Sequence, residues 1–394
     1  MNLALALTLT PELTFLIALA AFWLILYVIA YVFHLDKHGL DTKPGYFMYR
    51  SKALNSFIDR LAQKNRLFWK TCANLSIAFG AGLMVFSLYF LVSNLLRFFL
   101  PVVGQASPVF PVIPVLTISL NWLPYFFLAV AVIVLTHELA HGVTSRLANI
   151  PVLSTGLIAF LVFFGAFVEP DEKEFEKASL LSQIRMLTSG SSTNLITALL
   201  VFLMIGGLFT QPAGVLIYNV VPNDPLANSG ANLQVFDVIQ AVNGTPVSTY
   251  NQYLSLTNNV RPDETLTLTI LHANHLENIT VVTVASPSNE SRGIVGFETG
   301  FVPNYIPTRF GLDQYATVNF YLSLFWIYLL GVSVAIFNML PAFPFDGERA
   351  LHYPLAHLAK KRTRELRYAL NIIVWGLFVL NVALSFLRFG LLAI

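Results

Sequence analysis

Cysteine is almost absent from this 394-residue chain. Cys72 is the single one, so neither an internal disulfide nor a thiolate metal cluster can form. Charge is scarce too. Asp, Glu, Lys and Arg make up 11% of the residues against 56% hydrophobic ones. A soluble domain carries roughly 25% charged residues, so a wholly soluble fold is excluded. No Lys or Arg precedes the first apolar run, which therefore lacks the basic region of a cleaved signal peptide and reads as a retained helix. There is no repeat of the length that builds solenoids and no low-complexity tract. No nucleic-acid partner is expected.

Long apolar runs are what the chain has instead. A spanning helix needs about 20 consecutive apolar residues, which predicts six spans near 12–33, 71–100, 122–145, 186–210, 315–340 and 369–392. Basic residues cluster between the first two spans (Lys37 to Lys70) and between the last two (Arg349, Lys360, Lys361, Arg362, Arg364, Arg367). Residues 101–121 hold none. The positive-inside rule makes the two basic segments cytoplasmic and puts both termini outside. Leu54, Ile58 and Leu61 share one face of a basic helix after the first span, which predicts an interfacial helix on anionic lipid.

Two segments break the helical pattern. Residues 149–170, NIPVLSTGLIAFLVFFGAFVEP, are apolar but carry Pro151, Gly156, Gly165 and a β-branched and aromatic bias. They predict a membrane-embedded strand or hairpin, tolerable at that depth where protein or a wet cavity satisfies its backbone. An extended substrate pairing with its edge would be held unwound, with Gly165 and Phe167 as binding residues. Residues 213–300 are soluble in composition, with alternating strand patterns at 215–221 and 265–271 and an Asn243-Gly244 turn. The run GVLIYNVVPNDPLANSGANLQVFDVIQAVNGTPV resembles a PDZ domain. The expected organisation is a membrane core in two parts, 1–210 and 301–394, around a β-rich PDZ-like insert at 213–300. The insert is expected outside the cytoplasm, either to exclude substrates with bulky external domains or to capture a C-terminal carboxylate at Gly214-Val215-Leu216.

The chemistry lies in the third span, at His137-Glu138-Leu139-Ala140-His141. Positions i and i+4 share one helical face, so two imidazoles can reach one zinc ion while Glu138 stands beside it as proton acceptor. Two histidines and a glutamate in an apolar span are costly unless they pair or bind something. A catalytic zinc needs a third protein ligand. Asp346, in NMLPAFPFDG after the fifth span, is the best candidate, because Pro341 and Pro344 break the helix at matching depth. Glu169 and Glu348 are weaker substitutes.

An HExxH span, a later NxxPxxxxDG span and a PDZ-like insert between them resemble the site-2 protease family over nearly the whole chain. GAFVEP at Gly165–Pro170 and the Gly190 to Asn194 spacing add local similarity; Phe345 and Ser191 depart from the family's usual Leu and Pro. The resemblance implies an intramembrane zinc endopeptidase acting on single-span membrane proteins. His137, His141 and Asp346 would bind Zn2+, Glu138 would be the catalytic carboxylate, and Asn338 would face the substrate. A transporter would show paired repeats and broken helices in both halves. A catalytically silent scaffold would have no use for Glu138. A soluble-type protease on a tether is excluded because the motif lies within the apolar run.

The charge asymmetry is directly testable. Cysteine placed at Ser288 should react with an impermeant reagent in intact cells, whereas cysteine at Ser56 should be protected. The reverse pattern inverts the orientation.

Overall fold

The computed structural model describes residues 11–100, 104–113, 117–230, 233–359 and 362–390. The termini whose side of the membrane was predicted, and Lys360 and Lys361, lie outside the described residues. The chain divides into two compact units, one formed by 1–199 with 326–393 and the other by 200–325.

The first unit holds α1 (Pro11–Val32), β1 (Leu40–Lys43), β2 (Tyr46–Ser51), α2 (Asn55–Lys64), α3 (Arg66–Phe99), α4 (Leu123–Leu147), β3 (Val152–Phe160), β4 (Phe163–Pro170) and α5 (Glu172–Lys177). It also takes most of α6 (Leu180–Leu208). Among the described residues, six helices are long and apolar enough to cross a bilayer: α1, α3, α4, α6 and two that come after the β-rich insert. The protein is a multi-pass membrane protein. Several helices outrun their apolar windows because polar residues cap them. Asn65 accepts from the Phe68 N–H at the start of α3, and the Ser179 hydroxyl accepts from the Ser182 N–H at the start of α6.

The predicted hairpin is present as β3–β4, joined through Leu161 and Val162, but it does not stand alone. β1 and β2 extend it into a four-stranded antiparallel sheet in the order β1-β2-β3-β4. The sequence signal for the added hairpin is the Pro44-Gly45 turn, where Gly45 takes φ 71°. Gly156 lets the sheet close, because a Cβ there would lie 1.9 Å from the Tyr49 carbonyl oxygen and 2.6 Å from the Phe167 ring. Part of the face of α2 expected on lipid packs on protein. Ile58 is fully buried and clusters with Val143 and Leu139 of α4, with Leu61 packed alongside. The amphipathic pattern was legible: Ile58 and Leu61 of its face pack on α4, while Leu54 stays exposed.

The second unit begins with β5 (Val215–Leu216), β6 (Asn219–Val220), β7 (Val238–Val242), β8 (Thr245–Pro246) and α7 (Tyr250–Thr257). It continues with β9 (Thr265–His272), β10 (His275–Val282), β11 (Val284–Ser286), β12 (Asn289–Ile294) and β13 (Phe297–Glu298). A sheet in the order β10-β9-β7-β5 closes over Ile217, Leu226, Ile239, Leu268 and Ile270, all fully buried. Each such side chain contributes about 2 kcal/mol by leaving water. The predicted Asn243-Gly244 turn joins β7 to β8 with both residues at positive φ. This sheet with its one packed helix is the PDZ-like insert.

The chain after β12 returns antiparallel to β5 and β6. The Val221 N–H donates to Gly296 O, Tyr218 N–H to Glu298 O and Leu216 N–H to Pro303 O, at 2.8–3.0 Å. The Gly214 N–H donates to Ser248 O, and Val215 and Leu216 are buried. Gly214-Val215-Leu216 is therefore not open to a carboxylate, because Ser248 takes the Gly214 amide, the returning strand takes the Leu216 amide and Val215 is buried. A cavity of about 210 Å³ opens instead between α7 and the Arg292–Phe297 stretch. Burial pushes the Tyr253 hydroxyl well above its ordinary range, so Tyr253 lines that cavity as a neutral group.

The remaining helices are α8 (Gln314–Asn338), α9 (Asp346–Ala359) and α10 (Thr363–Phe389). α8 and α10 are the last two spans.

The close fit at Gly156 sets an expectation for stability. Gly156→Val should lower the unfolding midpoint in detergent, by an overpacking cost of about 1–3 kcal/mol. Gly82→Ala, in open space on α3, should leave it unchanged. Equal midpoints for Gly156→Val and wild type would mean that β2 and β3 do not pack as described.

Candidate metal centre

α4 carries His137 and His141 on one face, both buried, as one helical turn of spacing requires. α8 ends at Asn338, and Pro341 and Pro344 prevent its continuation. The chain re-enters a helix at Asp346. Gly347 permits this tight passage, since a Cβ there would lie 2.4 Å from the Met339 carbonyl. The break carries Asp346 onto the two imidazoles across 209 residues of sequence.

The three ligand-type atoms form a nearly equilateral triangle. His137 Nε2 and His141 Nε2 are 3.0 Å apart, and each lies 3.2 Å from Asp346 Oδ2. Two ligands of a tetrahedral zinc, each about 2.0–2.1 Å from the ion, stand about 3.3 Å apart. The donor set and its spacing fit such an ion. Among the described residues this is the one His, Asp, Glu and Cys cluster close enough to hold a metal. The space beside it is kept open by Gly190 of α6, where a Cβ would fall 2.5 Å from both Nε2 atoms.

The atoms behind the triangle orient it. His141 Nδ1 lies 2.7 Å from the Met186 carbonyl oxygen, which accepts its proton and leaves Nε2 free to ligate. The Asn194 amide, fully buried, lies 3.1 Å from His137 Nδ1. The Asn194 amide nitrogen faces the ring, and its oxygen accepts from the Thr136 hydroxyl at 3.4 Å, so Asn194 fixes the position of the His137 ring. Asn338 stands 3.4 Å from His137 Nε2, so the fifth span's asparagine borders the centre.

Glu138 reaches the sheet, where its Oε2 accepts from the Val168 N–H at 2.9 Å. An apolar cavity of about 380 Å³ lies beside it, lined among others by Leu135, Leu157 and Ala166. β4 is an edge strand. Its register gives Gly165 and Phe167 to β3, opposite Ile158 and Gly156. The alternate residues Phe164, Ala166 and Val168 turn their backbone groups to the open edge, as the Val168–Glu138 bond shows. Phe167 lines the cavity beside Glu138 together with Ala166 and Val168.

Neither substitute ligand reaches the centre. Glu169 accepts from the Ser154 hydroxyl at 2.5 Å and lies 3.8 Å from Arg50. Glu348 is paired with Arg367. The contacts made by Met186 and Val168 have no side-chain signature, so sequence reasoning could not find them.

The profile of Peptidase family M50 matches residues 125–382. An uncharacterized protein of Methanocaldococcus jannaschii is 26% identical over 334 residues, 84% of this chain and 82% of that one. The PDZ domain of an SdrC-like protein from Listeria innocua is 17% identical, covering 22% of this chain and 92% of that one with a TM-score of 0.20. Its Listeria monocytogenes counterpart is 15% identical, covering 23% and 90% with a TM-score of 0.20.

The supporting atoms predict graded metal loss. His137→Ala, His141→Ala and Asp346→Ala should each abolish stoichiometric zinc on metal analysis. Asn194→Leu should weaken binding by about 10–100-fold, and Gly190→Leu should exclude the ion by occupying its space. Full zinc in Asp346→Ala would transfer the third-ligand role elsewhere.

Proposed function

Since this chain belongs to peptidase family M50, we propose that its His137–His141–Asp346 centre holds zinc and hydrolyses peptide bonds within or near the spanning helix of single-span membrane proteins. Family membership makes the protein a membrane-associated metalloprotease. The finer reading is carried by one observation: His137, Glu138 and His141 belong to a helix long and apolar enough to cross the bilayer, and Asp346 is brought to them from the start of α9.

Zinc there would supply a Lewis acid and bring the pKa of a water toward about 7. The rest falls to the chain. Glu138 takes the proton from the attacking water and returns one to the leaving amine. The Val168 N–H fixes one of its oxygens and leaves the other for that exchange. Met186 holds His141 in the ligating tautomer, and Asn194 fixes the position of the His137 ring. Asn338 borders the space where a scissile bond would lie.

A helical substrate conceals its peptide bonds, so it must be unwound before cleavage. The open edge of β4 supports a route. A strand added at Ala166 would run alongside Glu138 and replace the hydrogen bonds that the substrate helix gives up. The proposed surroundings are a cell membrane, with the insert and both termini extracytoplasmic and the centre near the cytoplasmic side. In support, 18 of the 23 Lys and Arg residues lie on the segments assigned inside.

The insert is proposed as a size filter that admits trimmed substrates. Capture of a substrate's C-terminus is the second reading, and Arg292 at the cavity beside α7 favours it. Deleting the insert should release cleavage of untrimmed substrates if it is a filter. Slower cleavage of trimmed substrates in Arg292→Gln, with none gained toward untrimmed ones on deletion, would establish capture instead.

Two substitutions test the chemistry. Glu138→Gln should retain zinc and fold but lose about 10²–10⁴-fold in turnover of a single-span substrate; near-wild-type turnover removes the proton-transfer role. Ala166→Pro deletes one outward-facing donor on an edge strand that tolerates proline. It should slow cleavage of helical substrates more than that of short, unstructured peptides. Equal slowing would count against strand addition.

A further inference from the structure

The metal centre's third ligand comes from a broken segment, and the last span holds that segment in place. Arg367, Asn371 and Trp375 are spaced i, i+4 and i+8 on α10, so they form one stripe along a single face. All three turn to the stretch that delivers Asp346. Trp375 Nε1–H donates to the Phe343 carbonyl at 2.9 Å, and its ring stacks on Phe345 at 6.0 Å. The Phe343 N–H donates to Asn371 Oδ1 at 2.6 Å. Arg367 forks onto both oxygens of Glu348, one through Nε and the other through Nη2 at 2.9 Å.

Glu348 is 4% exposed although it is ionisable. A buried carboxylate matched to a guanidinium fork is a geometric device, because the planar fork accepts one orientation. In a helix, Glu348 lies about 200° around the axis from Asp346 and Arg349 about 300°. Arg349 is tied in turn to α5, donating to Glu172 at 2.6 Å and lying over the Phe175 ring at 4.9 Å. Two anchors at different azimuths define the rotation of α9, and Asp346 is its first residue.

We infer that Arg367, Asn371 and Trp375 are positioning residues: the last span aims Asp346 at the metal by gripping the backbone before it and Glu348 after it. The inference rests on the zinc-protease reading. It adds that the completeness of the centre is set from α10, a helix that supplies no ligand. A tilt of α10 would withdraw the third ligand while His137 and His141 stayed in place on α4.

The test uses the full-length protein in detergent, with zinc affinity read by chelator competition and kinetics on a single-span substrate at saturating zinc. The Glu348→Gln/Arg367→Met double variant removes both charges and leaves no unpaired one. It and Asn371→Leu should each bind zinc about 10–100-fold more weakly, the scale of lost supporting contacts behind a metal ligand. Turnover should fall, with KM held within about twofold. Arg367→Lys, which restores charge without the fork, should recover zinc only in part. Wild-type zinc affinity and turnover in both the double variant and Asn371→Leu would overturn the inference, even with a lowered melting point, since the stripe would then only pack α10. Asp346→Ala is measured alongside. Zinc retained there overturns the metal-centre reading and this inference with it. Zinc lost there but kept in the stripe variants overturns this inference alone.

Discussion

Ionisable groups inside an apolar helix bundle must be partnered on every side, and that requirement organises the membrane unit. His137, His141 and Asp346 satisfy one another at about 3 Å and together present a metal-sized gap. Each group also needs something behind it. Met186 supplies a carbonyl, Asn194 an amide and the sheet a backbone N–H for Glu138. The neighbouring elements bend to these demands. α6 approaches closely because Gly190 has no side chain, and α8 stops because prolines stop it. The break then needs support of its own, which α10 and α5 provide.

The sheet meets a second demand of the same kind. An open strand edge among apolar surfaces leaves backbone groups without partners, and proteins normally cover or blunt such edges. On β4 the edge is covered only where the Val168 N–H meets Glu138. β1 and β2 secure the opposite side of the hairpin, and the buried face of α2 secures α4 behind it. Of the sheet's two edge strands, β1 and β4, it is β4 that lies beside the carboxylate. The proposed strand addition draws on this edge, because a peptide is itself rich in backbone donors and acceptors.

The second unit follows different rules. Its stability comes from a compact β-rich core of fully buried aliphatic side chains, the ordinary solution for a small domain in water. The returning strand after β12 changes which backbone groups are free. It covers the loop at Gly214 and opens a cavity at Arg292. Composition alone placed a binding loop at the first glycine of the domain. Hydrogen bonding across some eighty residues moves the opening to its far end.

What the sequence determined by itself was local or compositional. Span number follows from apolar length, the two-histidine face from a spacing of four, the β7–β8 turn from Asn-Gly, and the helix break from two prolines. Each of these depends on neighbours within a turn or two of the chain. The third ligand was legible as a candidate because a family pattern and matching depth pointed to it, while Glu169 and Glu348 stayed open as alternatives. Tertiary structure decided among them: Glu348 faces Arg367, Glu169 faces Ser154, and Asp346 alone reaches the imidazoles. It also decided that Ile58 of α2 packs on α4, and that the Val168 backbone N–H turns to the open edge of β4. Amphipathicity tells that a face is buried and not against what. Strand alternation tells that residues take turns and not which one starts. Both answers depend on contacts between segments far apart in sequence, and a single sequence carries no record of those distances.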